Sequence, residues 1–346
     1  MSISITDSPW HPLVEQRVKA AFYYQPAWLT LITKLYGYTL QFLTTSDTNG
    51  QITGFLPLCS LPGMLRGRRL VGLPFSDFCP LITLDDTSTS DLVEQAIELA
   101  QKQKARYLEL RSGTNSVLAQ HPNLSTSNLY VHWQRPLAND PEAIWSDLRK
   151  PVQRQIKKAR NLGVQVRIAQ ERGDVEQYYR LHLKTRTRLG MPAQPRQFFF
   201  GLWDAFADRD MMKVLLAEYQ GATIAGMVLL AAGSTVRYAY GASDEHHLNL
   251  APNNLLMWTA ITWGCTHGHQ TLDLGRTACD NQGLMEFKRR WGATQEALPY
   301  YYYPRVQGLA ATSESSKTYH FLTTCWRRLP LQIAGPLGGY LYRNLG

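Results

Sequence analysis

Two stretches far apart in this chain read alike, and so do the segments after each of them. "NGQITGFLPLCSL" offers a turn at Asn49-Gly50 leading into a strand. "QGATIAGMVLLAAG" offers the same, with Gly221 at the turn and Ile224-Ala225-Gly226 in line with Ile52-Thr53-Gly54. A helical pattern and a short strand come next in both halves: "DLVEQAIELAQKQK" then "ARYLELRSG", and "NNLLMWTAITWGCTHG" then "QTLDLGRT". Leu108-Glu109-Leu110 thereby matches Leu272-Asp273-Leu274. Either match alone carries little weight. The same order twice points to a duplicated α/β unit.

The boundary is expected near "RPLANDPEAIWSDL", where Asn139-Asp140-Pro141 reads as a loop and helix start. This divides the chain into 1–138, 139–310 and a tail, 311–346. After the boundary, "SDLRKPVQRQIKKARNLG" reads as a helix entered at Pro151 and ended by Gly163, and "VQVRIAQ" as a strand. "DVEQYYRLHLKTRTRLG" reads as a helix capped by Asp174 and closed by Gly190. "TSESSK" is a link before an apolar, aromatic tail holding Arg327, Arg328 and Arg343, which suits either docking on the body or contact with a membrane surface.

Charge is unevenly placed. The formal net charge is +9, and the segment from Arg149 to Arg196 alone holds 13 Lys or Arg against 3 Asp or Glu. Such a zone expects an anionic partner: phosphate, nucleic acid or a membrane surface. The five cysteines form no C-x-x-C pair, and "MSISITDSPWHPL" has no signal-peptide core, so a reducing cytoplasm is the expectation. No apolar run reaches the length of a spanning helix. The pairs His246-His247 and His267/His269 lack companions that would complete a metal set, so no metal is expected.

Several residues suit anion chemistry. In "LDLGRT", Gly275 permits a turn that presents Arg276 at the C-terminal end of a strand, where a guanidinium can clamp a phosphate or carboxylate. A strand through Tyr240 ending in Gly241-Ala242-Ser243, then a helix starting near Asn253 and Asn254, sets N–H groups at a helix start for a donor phosphate. Lys184 and Arg188 share a helical face, with Thr185 beside them. Arg154, Lys157, Lys158 and Arg160 suit an RNA backbone or an anionic membrane.

"RQIKKARNLGVQVR", "LHLKTRTRLGMP", "YGASDEHHLNLAPNNLLMW" and "LDLGRT…GLMEFKRRWGA", in this order, resemble the FemAB-like branch of the GNAT acyltransferase superfamily. "FYYQPAWLTLITKLYGY" and "GRRLVGLPFSDF" extend the resemblance toward FemAB-related proteins of exopolysaccharide and PEP-CTERM systems, and it spans Phe22 to Tyr303. It implies tandem GNAT-like α/β domains, mixed sheets flanked by helices, and direct transfer of an acyl or aminoacyl group to an amine of a cell-envelope or polysaccharide precursor. The implied donor is aminoacyl-tRNA or acyl-CoA. "EHHLNLAPNN" lacks the glycines of a CoA pyrophosphate loop, and no heptad-rich arm is present.

The resemblance also assigns Lys288 of the Phe287-Lys288 pair to transition-state stabilisation, and the helix of Lys184, Thr185 and Arg188 to the acceptor's phosphates. An acyl transfer passes through an oxyanion, so a cation or N–H donor is what such a site needs. Asp273 is read either as a buried salt-bridge partner or as a proton acceptor, the substrate itself being the other acceptor, and Phe287, Tyr240, Ser243, Arg276 and Trp28 are the expected substrate contacts. A lipid-linked acceptor would put the protein at the inner face of the cell membrane. A contrasting reading is a GNAT-like protein that binds RNA or membrane without chemistry.

Overall fold

The computed structural model describes residues 9–62, 67–304 and 323–343, which fall into two compact units. The first holds the described residues up to 131 with 296–304 and 343; the second holds 132–295 and 323–342.

In the first unit, helices α1 (Pro12–Ala20) and α2 (Pro26–Tyr36) precede a hairpin. Asp47 accepts the N–H groups of Asn49 and Gln51, and Gly50 takes φ +76°, which turns β1 (Thr39–Ser46) back onto β2 (Ile52–Leu61). Next come β3 (Arg69–Val71), β4 (Ile82–Thr83), α3 (Asp86–Lys102), β5 (Tyr107–Leu110), α4 (Ser116–Gln120) and β6 (Ser125–Ser127). Asp85 caps α3 by accepting from Ser88 N. The helix seats Leu92, Val93, Ala96, Ile97 and Ala100 on Leu56, Leu58, Leu70, Leu108 and Leu110 of the sheet. Each large member of that set contributes about 1.5–3 kcal/mol by leaving water.

The second unit repeats this plan with more cover. It starts in β7 (Tyr130–Pro136), α5 (Pro141–Asp147) and α6 (Lys150–Asn161), followed by β8 (Gln165–Ile168), α7 (Arg172–Arg188) and α8 (Arg196–Phe206). Asp174 stands one turn inside α7 rather than at its cap, accepting from Gln170 N and Glu171 N. Gln220 and Gly221, both at positive φ, join β9 (Met212–Tyr219) to β10 (Ala222–Ala232), as a tight two-residue hairpin requires. Then follow β11 (Thr235–Ser243), α9 (Pro252–Thr266), β12 (Thr271–Ala278), α10 (Gln282–Arg290) and β13 (Thr294–Ala297). The strand order is β13-β7-β12-β11-β10-β9-β8. Helix α9 is apolar on every side because it is buried on every side, including Leu256, Met257, Ala260 and Ile261.

Tyr300–Tyr303, placed by the sequence in the 139–310 span, forms β14 in the first unit's sheet, between β5 and β6. The aromatic run is therefore core: Tyr300, Tyr301 and Tyr302 are all buried. The tail contributes a helix, Leu331–Tyr342, to the second unit, with Pro336 inside it. The "TSESSK" link lies outside the described residues.

Candidate functional site

In the second unit the sheet comes apart between β11 and β12. Strands β11 and β12 are parallel and pair only at Thr235–Thr271, Val236–Leu272 and Arg237–Asp273, after which β11 runs on to Ser243 and β12 to Ala278. Two features steer them apart. In β11 the register against β10 shifts so that Ala239 is an extra residue, a bulge. In β12 Gly275 sits at φ +72°, a conformation that side chains resist, so the strand kinks there instead of turning back as the sequence suggested.

The base of this fork is pinned. Asp273 accepts from Arg237 Nη1 at 2.7 Å through one oxygen. Its other oxygen takes the Gly275 N–H at 2.6 Å and faces His132 Nε2, on β7, at 2.8 Å. Burial would raise the Asp273 pKa, yet the Arg237 guanidinium and His132 overcome it and hold the carboxyl at about 2. A carboxylate so placed is a poor base at neutral pH. Asp273 is thus placed as a buried salt-bridge partner that anchors the fork, the reading this geometry supports over that of proton acceptor.

Lys288 lies on helix α10, not on a strand edge, and is 4% exposed. Asn281 caps that helix, accepting from Leu284 N. The Lys288 ammonium donates to Gly275 O at 3.0 Å and to Arg276 O at 2.9 Å, gripping β12 at its kink. Its neighbours do not enter: Arg289 and Arg290 are exposed and pair with Glu286, whose pKa they lower. Trp291 is buried, and its carbonyl accepts from Arg135.

Among the clefts of this unit's described residues, two are lined by residues the sequence singled out. The larger, about 650 Å3, is lined by Pro151, Arg154 and Lys158 of α6, Asn254 at the start of α9, and Phe287 and Arg290 of α10. Its lining carries three cations and no acid. The smaller, about 470 Å3, has Lys184 and Arg188 on one wall and Ser243 at the end of β11, with Arg327 and Leu331 of the tail completing it. Asp244 and Glu245 also line it, with the Glu245 carboxylate 3.9 Å from Arg188 Nε.

The expected contacts thus separate. Phe287 and Asn254 meet at one cleft, and Lys184, Arg188 and Ser243 at the other. Asn253 reaches Ser243 Oγ at 3.4 Å. Arg276 is half-buried and lies close enough to Tyr342 to oppose the burial that raises that phenol's pKa. Thr185 is buried, and its hydroxyl both donates to Ser243 O and accepts from Ser243 N, so it ties α7 to β11 instead of facing a ligand. Tyr240 packs its ring against Phe198, Phe199 and His182. Trp28 is fully buried against Phe22 and Tyr23 in the first unit's core and can touch no substrate without unpacking it.

Sequence reasoning passed over Arg237, His132 and the tail's share in the smaller cleft. Arg237 sits in alternation on a strand, and nothing in "YVHWQRP" marks His132 as the partner of an aspartate 141 positions away. Among the described residues, no three His, Cys, Asp or Glu side chains converge as a metal set.

Comparison with known proteins agrees with this geometry. Residues 146–289 match the acetyltransferase (GNAT) domain model, which covers the fork, α6 to α9 and most of α10. The lipid II:glycine glycyltransferase of Staphylococcus haemolyticus (strain JCSC1435) is 34% identical over 91 residues, 24% of this chain and 22% of that protein. The chain thus spans about a fifth of the length of that relative. Among solved structures, FemX superposes with a TM-score of 0.68 at 15% identity, covering 86% of this chain and 97% of FemX. A tandem GNAT protein from the clavulanic acid biosynthesis pathway gives 0.53 at 13% identity, covering 88% and 98%. The fold is that of tandem GNAT domains.

Proposed function

We propose that this chain, a GNAT-superfamily protein with FemAB-like relatives, transfers an acyl or aminoacyl group directly onto an amine of a cell-envelope precursor. The observation that carries this is the pinned fork between β11 and β12, flanked by a cationic cleft. A slot at the C-terminal ends of parallel strands is where an extended donor arm can lie. Where two strands part, main-chain N–H groups lose their ladder partners. One such donor aimed at a developing oxyanion is worth about 3–4 kcal/mol.

The reaction balances without an enzyme-bound intermediate. The neutral amine attacks the carbonyl carbon of the donor's ester or thioester, and a C–N bond forms as the oxygen gains charge. The carbonyl then re-forms as the C–O or C–S bond breaks. The proton lost by the amine goes to the leaving alkoxide or thiolate, since Asp273 is held too acidic to take it. Lys288 acts as a positioning residue by fixing the Gly275–Arg276 backbone.

The donor best suited to the larger cleft is an aminoacyl-tRNA. Helix α6 turns Lys150, Arg154, Lys157, Lys158 and Arg160 to solvent and carries no acid along its length, a face suited to a polyanion. Acyl-CoA is the second reading, favoured by Asn254 at the start of α9 beside that same cleft. The acceptor's phosphates fit the smaller cleft at Lys184 and Arg188, and a lipid-linked acceptor would bring the protein to the inner face of the membrane. Titration with aminoacylated tRNA, deacylated tRNA and acyl-CoA at two salt concentrations tests the donor. Binding that depends on the aminoacyl end supports transfer from tRNA, saturable CoA binding with tRNA indifferent assigns the second reading, and binding of neither defeats both. Lys288→Met separates catalysis from plain binding: transfer is lost and anion binding kept if the chain is an enzyme.

A further inference from the structure

The tail helix Leu331–Tyr342 is built the wrong way out for a helix whose only task is to dock. It turns its smallest residues inward: Ala334, Gly335 and Gly338 are buried. A side chain at Gly335 would approach Leu183 and Tyr179 of α7, and one at Gly338 would meet the Ala193 backbone within 3 Å. Leu331, Leu341 and Tyr342 are partly buried, but other large apolar residues point the other way. Ile333 is 52% exposed, Leu337 39% and Tyr340 52%, with Pro336 exposed between them. Positions 333, 336, 337 and 340 follow the spacing of one helical stripe. The other exposed large apolar residues among those described, such as Leu13, Phe78 and Leu248, are far apart in the sequence and in different elements. A surface helix normally seats its large apolar side against the body; this one presents that side to solvent.

Charge identifies what covers the stripe. Arg327 and Arg328 are exposed in the segment just before the helix, and no acidic residue occurs between Thr323 and Arg343. Arg327 and Leu331 also wall the smaller cleft, with Lys184 and Arg188 opposite. Apolar side chains in a row with arginines at one end match the layers of an anionic lipid surface, acyl boundary then headgroups, while the cleft beside them mixes Lys184, Arg188 and Arg327 with Asp244 and Glu245. The helix has 12 residues, and no described helix is long and apolar enough to span a bilayer, so contact is along the surface.

We infer that Ile333, Pro336, Leu337 and Tyr340 lay this helix in the interface of an anionic membrane, with Arg327 and Arg328 at its headgroups. The inference goes beyond the proposed transfer and does not need it. If the acceptor is lipid-linked, docking sets the Lys184–Arg188 cleft at headgroup level, and only that clause rests on the transfer reading.

Sedimentation of the full chain with phosphatidylglycerol–phosphatidylcholine vesicles, and with phosphatidylcholine alone, tests it. The expected result is binding to the anionic vesicles that weakens with salt. A combined Ile333→Asn, Leu337→Asn, Tyr340→Ser variant should bind at least about tenfold more weakly. Arg327→Gln with Arg328→Gln should lose about fivefold per arginine. The three stripe positions are exposed, so near-UV circular dichroism should show an unchanged fold in both variants. Vesicle binding left intact by the stripe variant, or absent in the parent chain, overturns the inference. So does a parent dimer that the stripe variant converts to monomer, which assigns the stripe to a second copy. Vesicle binding is read apart from donor binding and transfer, so failure of either leaves the other standing.

Discussion

The two units carry the same strand-and-helix plan, and one position sets their forks apart. In the first, β3 and β5 pair in parallel at Arg69–Tyr107, Leu70–Leu108 and Val71–Glu109, the counterpart of the three pairs between β11 and β12. Glu109 stands where the second unit has Asp273, and two residues on, Arg111 stands where it has Gly275. Arg111 fills its fork: its guanidinium bonds Glu109 at 2.6 Å, reaches Ser76 O at 2.7 Å and lies over the Tyr300 ring. Gly72 N and Cys79 N donate to Glu109 O and Arg111 O, closing the backbone as well. Gly275 has no side chain, and its acidic neighbour is pinned by Arg237 from across the fork. One duplicate fills this position with a side chain, and the other leaves it without one.

The most damaging way to break this comparison is to import the plug. Gly275→Arg adds a side chain at φ +72° and fills the slot, so transfer should fall by at least about a hundredfold, with a strain cost of about 1–3 kcal/mol. Steady-state kinetics alongside thermal unfolding read both; transfer within about tenfold of the parent would break the comparison. The reverse exchange, Arg111→Gly, leaves Glu109 buried and unpaired and should destabilise the chain by about 3 kcal/mol in urea unfolding. A stability change near zero would show that the first unit's fork is not held by its plug.

Lys288→Met removes the donor to Gly275 O and Arg276 O. Unfolding should show a loss of about 1–3 kcal/mol, beside the lost transfer. Retained transfer would mean that the kink does not need this grip. Acid unfolding sharpens the role of Asp273. Its folded pKa, about 2, lies below its unfolded value of about 3.9. The stability it gives is therefore present above about pH 4 and is lost as pH falls toward 2. The loss is on the order of 2 kcal/mol, and Asp273→Asn should flatten that limb. A limb of the same slope in the variant would remove Asp273 from the pin. The smallest effect is electrostatic: Arg154→Gln or Lys158→Gln should each reduce the salt slope of donor binding by about 1. An unchanged slope would place the donor elsewhere.

The duplication was legible because it is written in local patterns: turn glycines, alternation and helix spacing that both halves keep. The helix at Gln282–Arg290 was not, since "FKRRWG" carries its aromatics and cations with too short a period to tell helix from strand. Tyr300–Tyr303 could not be sent to the first sheet from the sequence, because pairing with Leu108–Leu110 is a long-range choice that no local signal records. For the site, the types were readable and the roles were not. Asp273 and Lys288 both stand at the fork, yet whether a carboxylate is a base or an anchor depends on Arg237 and His132, which come from other strands. The tail showed the same limit: its apolar content was plain, but which side faces outward depends on Gly335, seated against α7, and Gly338, seated against Ala193.

The central claim is that ligand chemistry belongs to the second unit's open fork. Hydrogen–deuterium exchange of the full chain, with and without saturating donor, tests it directly. Donor should slow exchange in β11, in β12 beyond Asp273, and along α6 and α10, while β3, β5 and their surroundings keep their rates. Protection confined to β3, β5 and the Arg111 fork, with β11 and β12 unchanged, would contradict it.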